Sequence, residues 1–209
     1  MRERRASVQL LSRSVSADAS SSLDCCGLKS HSDSSADSSI DTSKVSLKLT
    51  KLNGIKKIYE IKSRDKIKSL PVLAYSLDIV KEITIIDKFT EKIIKKYWPG
   101  PLTLILTLTD QKLKESLKLQ NKIAVRIPDS KCTLKLLEKC KLLVGTSANI
   151  SGNSSYTNPD ECIKNIKNYD VFLNGGTITS KGESTIIEIE DEKIKIIREG
   201  ALKAEDIMI

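Results

Sequence analysis

Histidine is almost absent from this chain of 209 residues, which contains a single one. That residue, His31, lies in a serine-rich segment near the start of the sequence, which we do not expect to fold. The folded part therefore has no Ser-His or Cys-His nucleophile system, in which an imidazole acts as the base, and no histidine metal site. Its chemistry must depend on cationic side chains, hydroxyls, amides and backbone groups.

Long apolar runs and paired cysteines are also absent. No uninterrupted apolar run approaches the roughly 18 residues that are needed to cross a bilayer, so the sequence predicts no membrane-spanning helix. The five cysteines form no C-x-x-C pair, so the sequence signals neither a zinc site nor a redox motif. Their odd number is typical of a reduced, intracellular protein. Aromatic residues make up only 4% of the chain, so we expect an aliphatic core.

Charge, by contrast, is abundant, and the formal net charge at pH 7 is +8. A positive balance can draw phosphates and other anions to a protein surface. Many of the lysines, however, recur at helical spacing on faces that we expect to be solvated, where they only favour solubility. Both interpretations remain open for the chain as a whole.

The composition changes sharply near residue 45. Residues 1–44 are rich in serine and aspartate, show little apolar periodicity and are predicted to be disordered. Their basic, serine-bearing start resembles an organelle transit peptide, although the aspartates that follow argue against targeting. Residues 45–209 alternate short apolar runs with segments of helical period. This pattern is typical of one α/β domain with a twisted, mixed sheet.

Several residues mark the boundaries of the predicted elements. Ser76 and Asp87 are predicted N-caps, and Pro159 is predicted to begin a helix. The sequence "WPGP" at residues 98–101 must end a helix, because proline cannot continue the hydrogen-bond ladder. The last two strands are predicted to form a hairpin that turns at residues 191–192.

Three cationic side chains stand out as candidate anion ligands. Lys62 and Arg64 end the first predicted helix, and at a frayed helix end both can converge on one anion. Taken alone, such a pair is more typical of a solvated helix terminus. Arg126 interrupts the apolar strand "IAVRIP", so it either faces solvent or points into a cavity that holds an anionic partner.

Hydroxyl and amide groups follow later strands. The loop "GTSANISG" combines small residues, which let backbone N–H groups approach a ligand, with oriented donors at Ser147 and Asn149. Such a loop is typical of an anion or nucleotide cradle, yet its composition alone favours a plain polar connection. Ser184 lies at the mouth of one strand and Arg198 at the end of another, and each alone is more typical of turn chemistry.

Six short segments are each a weak indication of a family, but their order along the chain is specific. They are "KKIYEIKSRDKIKSLPVL", "KKYWPGPLTLIL", "KIAVRIPD", "LLVGTSANISGNSS", "GESTIIEI" and "IIREGAL". Together they resemble the successive blocks of the threonylcarbamoyl-AMP synthase family, the YrdC-like domain, over residues 54–202. The resemblance implies an α/β domain with a basic cavity. It also implies a nucleotidyltransferase that condenses L-threonine, bicarbonate and ATP into threonylcarbamoyl-AMP and pyrophosphate.

The resemblance also implies partners and site residues. The product feeds the t6A modification of tRNA, so tRNA or tRNA-modification proteins are implied partners, and double-stranded RNA binding is an implied property. Lys62 and Arg64 match the K-x-R motif and are expected to be catalytic, whereas Arg126 and Ser184 are expected to bind threonine. ATP is a substrate, Mg²⁺ is expected to accompany it, and no metal ligand is assigned. The residues expected at ATP are Lys62, Arg64, Lys68, Ser147, Asn149, Thr157 and Arg198.

The chain departs from the family pattern ahead of Lys62. The family begins with a block like Pro-Thr-x-Thr-x-Tyr-Gly-Leu, where this chain reads "SADSSIDTSKVSLKLTKLNG". Asp41 and Thr42 lie near the expected distance before Lys62, but Tyr-Gly-Leu does not follow them. We therefore expect an incomplete start to the domain, with part of the sheet and of the threonine pocket missing or remade. The chain otherwise resembles the short form of the family, without a second domain.

Two functions remain open from the sequence. The first is the synthase, which we expect in the cytoplasm and away from membranes. The alternative is a noncatalytic relative that binds RNA or helps to assemble a complex, inactivated by the altered start. Pyrophosphate release that requires both threonine and bicarbonate is expected of the first function. Steeply salt-dependent tRNA binding without ATP turnover is expected of the second.

Overall fold

The computed structural model describes residues 8–11, 52–66, 68–169, 171–174, 177–178 and 182–207. In these ranges no helix is both long and apolar enough to cross a membrane. The strands of the described residues are β1 (Val8–Leu11), β2 (Val72–Ala74), β3 (Thr84–Ile85), β4 (Leu102–Leu108), β5 (Lys122–Arg126), β6 (Leu142–Val144), β7 (Val171–Asn174), β8 (Thr185–Glu190) and β9 (Lys193–Arg198). The helices are α1 (Leu52–Lys62), α2 (Leu77–Ile83), α3 (Lys88–Tyr97), α4 (Gln111–Leu117), α5 (Lys131–Cys140), α6 (Pro159–Asn165) and α7 (Ala204–Ile207).

The chain divides into two compact units, and each unit combines segments that are distant in sequence. The first unit takes its described residues from Met1–Lys68, Ser130–Cys140 and Ser147–Thr179. The second takes them from Ser69–Asp129, Lys141–Thr146 and Ser180–Ile209. Helices α1, α5 and α6 with strands β1 and β7 belong to the first unit, and the other elements belong to the second.

A mixed sheet forms the centre of the second unit. Its strand order is β6-β2-β5-β4-β8-β9, and β3 pairs with β4 outside this path. The β2–β5 and β4–β8 pairs are parallel, whereas the remaining pairs are antiparallel. Leu104 lies opposite both Val125 and Ile187, and all three side chains are fully buried. The prediction of an α/β fold with a mixed sheet is confirmed, and the predicted aliphatic core is present.

Side-chain caps begin the helices where the sequence predicts them. The Ser76 hydroxyl accepts a hydrogen bond from the backbone N–H of Ile79, and an Asp87 carboxylate oxygen accepts one from Thr90. Helix α3 then ends at Tyr97, directly before the "WPGP" sequence, as predicted. These predictions succeed because a cap depends on residues within one turn of each other.

The predicted hairpin between β8 and β9 is also present. Asp191 and Glu192 connect the two strands, and their φ angles are 50° and 58°. A two-residue hairpin loop of this kind requires positive φ at both positions, because its twist then matches that of the strands. Glu190 lies opposite Lys193 at the start of the pairing.

The first unit contains a two-stranded antiparallel sheet of β1 and β7 and a small apolar core. Ala148, Cys162, Ile166 and Phe172 form this core. Strand β1 differs from the prediction that residues 1–44 are disordered, because its backbone pairs with β7. The remainder of that segment, together with Asp41, Thr42 and the altered family block, lies outside the described residues.

Three elements of the second unit were not predicted, namely β3, α4 and α7. Helix α4 is capped by Asp110, whose carboxylate accepts from the Leu113 N–H, and Leu113 is its buried residue. With one buried side chain, α4 has almost no apolar stripe from which to recognise a helix. Strand β3 contains two residues and α7 contains four, so neither is long enough to show a period.

Candidate functional site

Helix α1 ends at Lys62 because the next residue leaves the helical conformation. Ser63 has a φ of 48°, in the left-handed region that commonly ends helices. The Ser63 N–H donates to the Glu60 carbonyl oxygen, and the Arg64 N–H donates to that of Tyr59. The turn directs the Lys62 side chain inward, and its exposed fraction is only 2%. The interpretation of this lysine as part of a solvated helix terminus is therefore wrong.

The buried ammonium group of Lys62 is surrounded by oxygen atoms of the loop that follows β6. Its Nζ atom donates to the Ser147 carbonyl oxygen at 2.5 Å, the Asn149 carbonyl oxygen at 2.7 Å and Asn149 Oδ1 at 2.6 Å. An ammonium group has three protons, and these contacts offer an acceptor for each of them. We call Lys62, Ser147 and Asn149 the Lys62 network.

The loop side of the Lys62 network is itself held by hydrogen bonds. The Ser147 hydroxyl donates to Asn149 Oδ1 at 2.7 Å, and Asn149 Nδ2 donates to the Asn153 carbonyl oxygen at 2.5 Å. The Ser151 N–H returns to the Lys62 carbonyl oxygen at 2.8 Å. The structure thus joins three predicted site residues, and the loop is more than a plain polar connection.

The Arg64 side chain contacts the backbone of Lys68. The Lys68 carbonyl oxygen accepts from Arg64 Nε at 3.2 Å and from the Tyr59 hydroxyl at 3.0 Å. Burial raises the pKa of the Tyr59 phenol above its usual value, and the positive charge of Arg64 opposes part of that rise. The Lys68 side chain is exposed, as is Thr157, whose carbonyl oxygen accepts from the Ile178 N–H. The hydrogen bonds of Tyr59 and Arg64 to the Lys68 carbonyl oxygen hold the turn that carries Arg64.

A second group of predicted residues lies in the second unit. Arg198 donates from NH2 to the Ser184 carbonyl oxygen at 2.7 Å and lies 3.4 Å from Ser184 Oγ. Its NH1 atom pairs with Glu183. Ser184 Oγ is also 2.8 Å from Thr103 Oγ1. We call Thr103, Glu183, Ser184 and Arg198 the Ser184 network.

Arg126 lies on the same face of the sheet as Thr103. The antiparallel pairing of β4 and β5 sets Leu104 opposite Val125, and successive side chains alternate between faces. Thr103 and Arg126, the neighbours of that pair, therefore share the other face. Arg126 is half-buried, and its Nε donates to the Gly100 carbonyl oxygen at 2.7 Å. The sequence left two orientations open for the Arg126 side chain, one facing solvent and one pointing into a cavity. In the structure the side chain is partly buried and partly exposed, so it lies between the two.

The sequence did not mark Thr103 of the Ser184 network, and it placed Thr185 only beside Ser184 at the mouth of a strand. Thr185 is fully buried, and its Oγ1 accepts from the Gly200 and Leu202 N–H groups at 3.0 Å while donating to the Leu202 carbonyl oxygen. Gly200 must be small there, because an added Cβ would lie 2.3 Å from the Glu183 carbonyl oxygen. The sequence signal that could have identified Thr103 is a polar residue inside an apolar strand, the "LTLIL" at residues 102–106.

Clustered metal ligands are missing from the part of the chain that the structure describes. No group of three or more His, Cys, Asp or Glu side chains is placed there to hold a metal ion. Apart from the Glu183 carboxylate, which pairs with Arg198, the polar side chains described above carry ammonium and guanidinium cations, hydroxyls and an amide. Such groups bind and orient anionic oxygens.

Comparison with known proteins identifies the family. The Sua5/YciO/YrdC family model, described as telomere recombination, matches residues 46–200. A candidate threonylcarbamoyl-AMP synthase of Methanocaldococcus jannaschii is 36% identical over 152 residues, which cover 71% of this chain and 70% of that protein. The threonylcarbamoyl-AMP synthase of Pyrococcus abyssi is 30% identical over 161 residues, and the chain spans only 46% of its length.

Solved structures agree with the sequence comparison. The Pyrococcus abyssi Sua5 protein in complex with L-threonine is 29% identical, with a TM-score of 0.67 over 76% of this chain and 47% of that one. Escherichia coli YciO is 18% identical, with a TM-score of 0.64 over 75% and 77% of the two chains, and shows the fold alone. The resemblance drawn from the six ordered segments is confirmed. The chain belongs to the Sua5/YciO/YrdC family and has a YrdC-like α/β fold.

Proposed function

We propose that the chain is a threonylcarbamoyl-AMP synthase that condenses L-threonine, bicarbonate and ATP for the t6A modification of tRNA. The observation that carries this proposal is the 36% identity to the Methanocaldococcus jannaschii protein over most of both chains. The names of several further relatives and the threonine complex of Pyrococcus abyssi Sua5 support it. The same names do not favour a noncatalytic RNA-binding relative.

The chemistry of this reaction explains why a site of cations and hydroxyls can catalyse it without a histidine base. The threonine amine adds to bicarbonate with loss of water, and an oxygen of the resulting carbamate attacks the α-phosphorus of ATP. The bond from that phosphorus to the bridging oxygen breaks, and pyrophosphate leaves. Such a transfer needs alignment and charge neutralisation more than it needs a strong base. Three anionic reactants repel one another, and fixed cations offset that cost.

The Lys62 network supports a role at ATP. Lys62 orders the segment from Ser147 to Asn149, and the adjacent turn holds Arg64. We propose that Arg64 neutralises phosphate charge, and that Lys62 acts through the loop it holds or exchanges one loop contact for a phosphate oxygen. The wider proposed ATP set is Lys62, Arg64, Lys68, Ser147, Asn149, Thr157 and Arg198.

The sheet face that carries Arg126 supports a role at threonine. A guanidinium group can hold a carboxylate through two parallel hydrogen bonds, and a serine hydroxyl can add a third. We propose that Arg126 and Ser184 bind the threonine carboxylate in this way. Mg²⁺ would accompany the triphosphate and neutralise part of its charge. Cytoplasmic location and double-stranded RNA binding remain predictions of the sequence.

The test is a pyrophosphate-release assay with the purified full-length chain. We expect release that requires ATP, L-threonine and bicarbonate together, and a product whose mass is that of threonylcarbamoyl-AMP. Release at the same rate without threonine or without bicarbonate would contradict the proposal, as would a folded chain that releases none. The Arg126→Ala variant should raise the KM for threonine about tenfold or more, with little change in the KM for ATP.

A further inference from the structure

The hydroxyl of Thr103 has an unusual position for a residue inside an apolar strand. Its side chain is 1% exposed, and both of its neighbours in β4, Leu102 and Leu104, are fully buried. A buried hydroxyl needs a hydrogen-bond partner, because leaving it unpaired costs free energy. The Thr103 hydroxyl lies 2.8 Å from the hydroxyl of Ser184.

The pairing of β4 with β8 brings Ser184 next to Thr103. Strands β4 and β8 are parallel neighbours, with Thr103 opposite Ile186, and Ser184 lies directly before β8. Thr103 thus lies between Arg126 of β5, which shares its face, and the start of β8. Both neighbours are residues to which the proposed function gives a role at threonine.

The Ser184 hydroxyl can only accept a hydrogen bond from the Arg198 guanidinium. Arg198 has only donors, and its NH2 atom lies 3.4 Å from Ser184 Oγ. A contact from that side uses a lone pair of the serine oxygen and leaves the serine proton available. Either hydroxyl can donate in the Thr103–Ser184 contact. If Thr103 donates to the serine oxygen, none of these three residues takes the serine proton, which is then available to a ligand.

We propose that Thr103 is a positioning residue, which donates to Ser184 Oγ so that the serine proton is directed at an anionic oxygen of the substrate. This inference rests on the proposed function and adds a residue to it. Thr103 does not touch the substrate; it acts by holding one rotamer and one proton direction of Ser184.

The test uses variants of the full-length chain in the pyrophosphate-release assay. Thr103→Val removes the hydroxyl at nearly constant shape, and we expect about a fivefold rise in the KM for L-threonine, the size of one lost hydrogen bond. The KM for ATP should not change. Thr103→Ser, which keeps the hydroxyl, should restore the threonine KM to within about twofold of the original. Thr103→Ala serves as a second hydroxyl-free variant if the valine variant does not fold.

A double-mutant cycle separates positioning from a general structural effect. In a Ser184→Ala background, Thr103→Val should cause no further rise in the threonine KM, because the partner is gone. An unchanged KM in the single Thr103→Val variant would overturn the inference, and so would the same fivefold rise in the Ser184→Ala background. Wild-type protein that neither binds L-threonine in calorimetry nor turns it over would overturn the proposed function first, and this inference with it.

Discussion

At the scale of single residues, burial decides what Lys62 does. Taking an ammonium group out of water costs several kcal/mol unless its protons are satisfied. Three oxygen atoms at 2.5–2.7 Å from Nζ satisfy them here. The lysine therefore holds the loop from Ser147 to Asn149 as much as it contributes charge.

Replacing Lys62 by methionine tests this role. The Lys62→Met variant keeps the length of the side chain but leaves the loop oxygens without their donor, so we expect the free energy of unfolding to fall by about 2–3 kcal/mol. Urea denaturation measures the change. Lys56→Met is the matched control, because Lys56 is an exposed residue of the same helix and should change stability by less than about 0.5 kcal/mol. Equal stability of the two variants would contradict a buried, hydrogen-bonded ammonium.

Two buried thiols predict a loss of stability at alkaline pH. Burial raises the pKa of Cys140 and of Cys162 from the usual 9.0 to about 11. Below pH 9 the thiols are protonated in both the folded and the unfolded chain, so they contribute no pH dependence. Between about pH 9 and pH 11 only the unfolded thiols lose protons, which favours unfolding.

Urea denaturation across this pH range measures the effect. The free energy of unfolding should fall more steeply in the wild type than in the Cys140→Ala, Cys162→Ala double variant, which lacks both groups. Cys132→Ala serves as the control, because the side chain of Cys132 is only partly buried. Identical slopes for all three proteins would show that the two thiols titrate normally in the fold.

At the scale of elements, helix α6 shows how a short segment is held. Asn158 caps it by accepting from the N–H groups of Asp160 and Glu161, and Pro159 occupies its first position. Cys162 and Ile166, in and just after the helix, belong to the apolar core of the first unit. The cap thus sets where the loop of the Lys62 network ends.

Removing the cap should weaken this unit measurably. We expect Asn158→Ala to lower the free energy of unfolding by about 1 kcal/mol, because the N–H groups of Asp160 and Glu161 lose their shared acceptor. Asn158→Asp retains an acceptor at the same place and should stay within a few tenths of a kcal/mol of the wild type. An alanine variant as stable as the aspartate variant would show that the cap contributes nothing.

Elements were predictable where their signals are local. The caps at Ser76 and Asp87, the helix end before "WPGP" and the turn at residues 191–192 depend on side chains within a few positions. Helix α4 was missed because its single buried residue, Leu113, shows no period. Strand β1 was missed because its partner, β7, lies more than 150 residues later.

At the scale of the whole molecule, positive charge suggests a test of RNA binding. The net charge of +8 is spread over many surface lysines, so we expect weak binding to a double-stranded RNA probe. The affinity should fall by roughly tenfold or more between about 50 and 200 mM salt, because phosphate contacts release counterions. Filter binding measures it. Tight, steeply salt-dependent binding without ATP turnover would favour the RNA-binding alternative over the synthase.

The α/β class, the family and most of the helices and strands were determined by the sequence itself, since periodicity, caps and ordered motifs are carried by neighbouring residues. The sequence also marked Lys62, Arg126, Ser147, Asn149, Ser184 and Arg198 as candidates. Only the tertiary structure decided which of them touch. Lys62 meets Ser147 across 85 positions, and Thr103 meets Ser184 across 81. Contacts over such separations arise from strand pairing and burial, which no local pattern encodes.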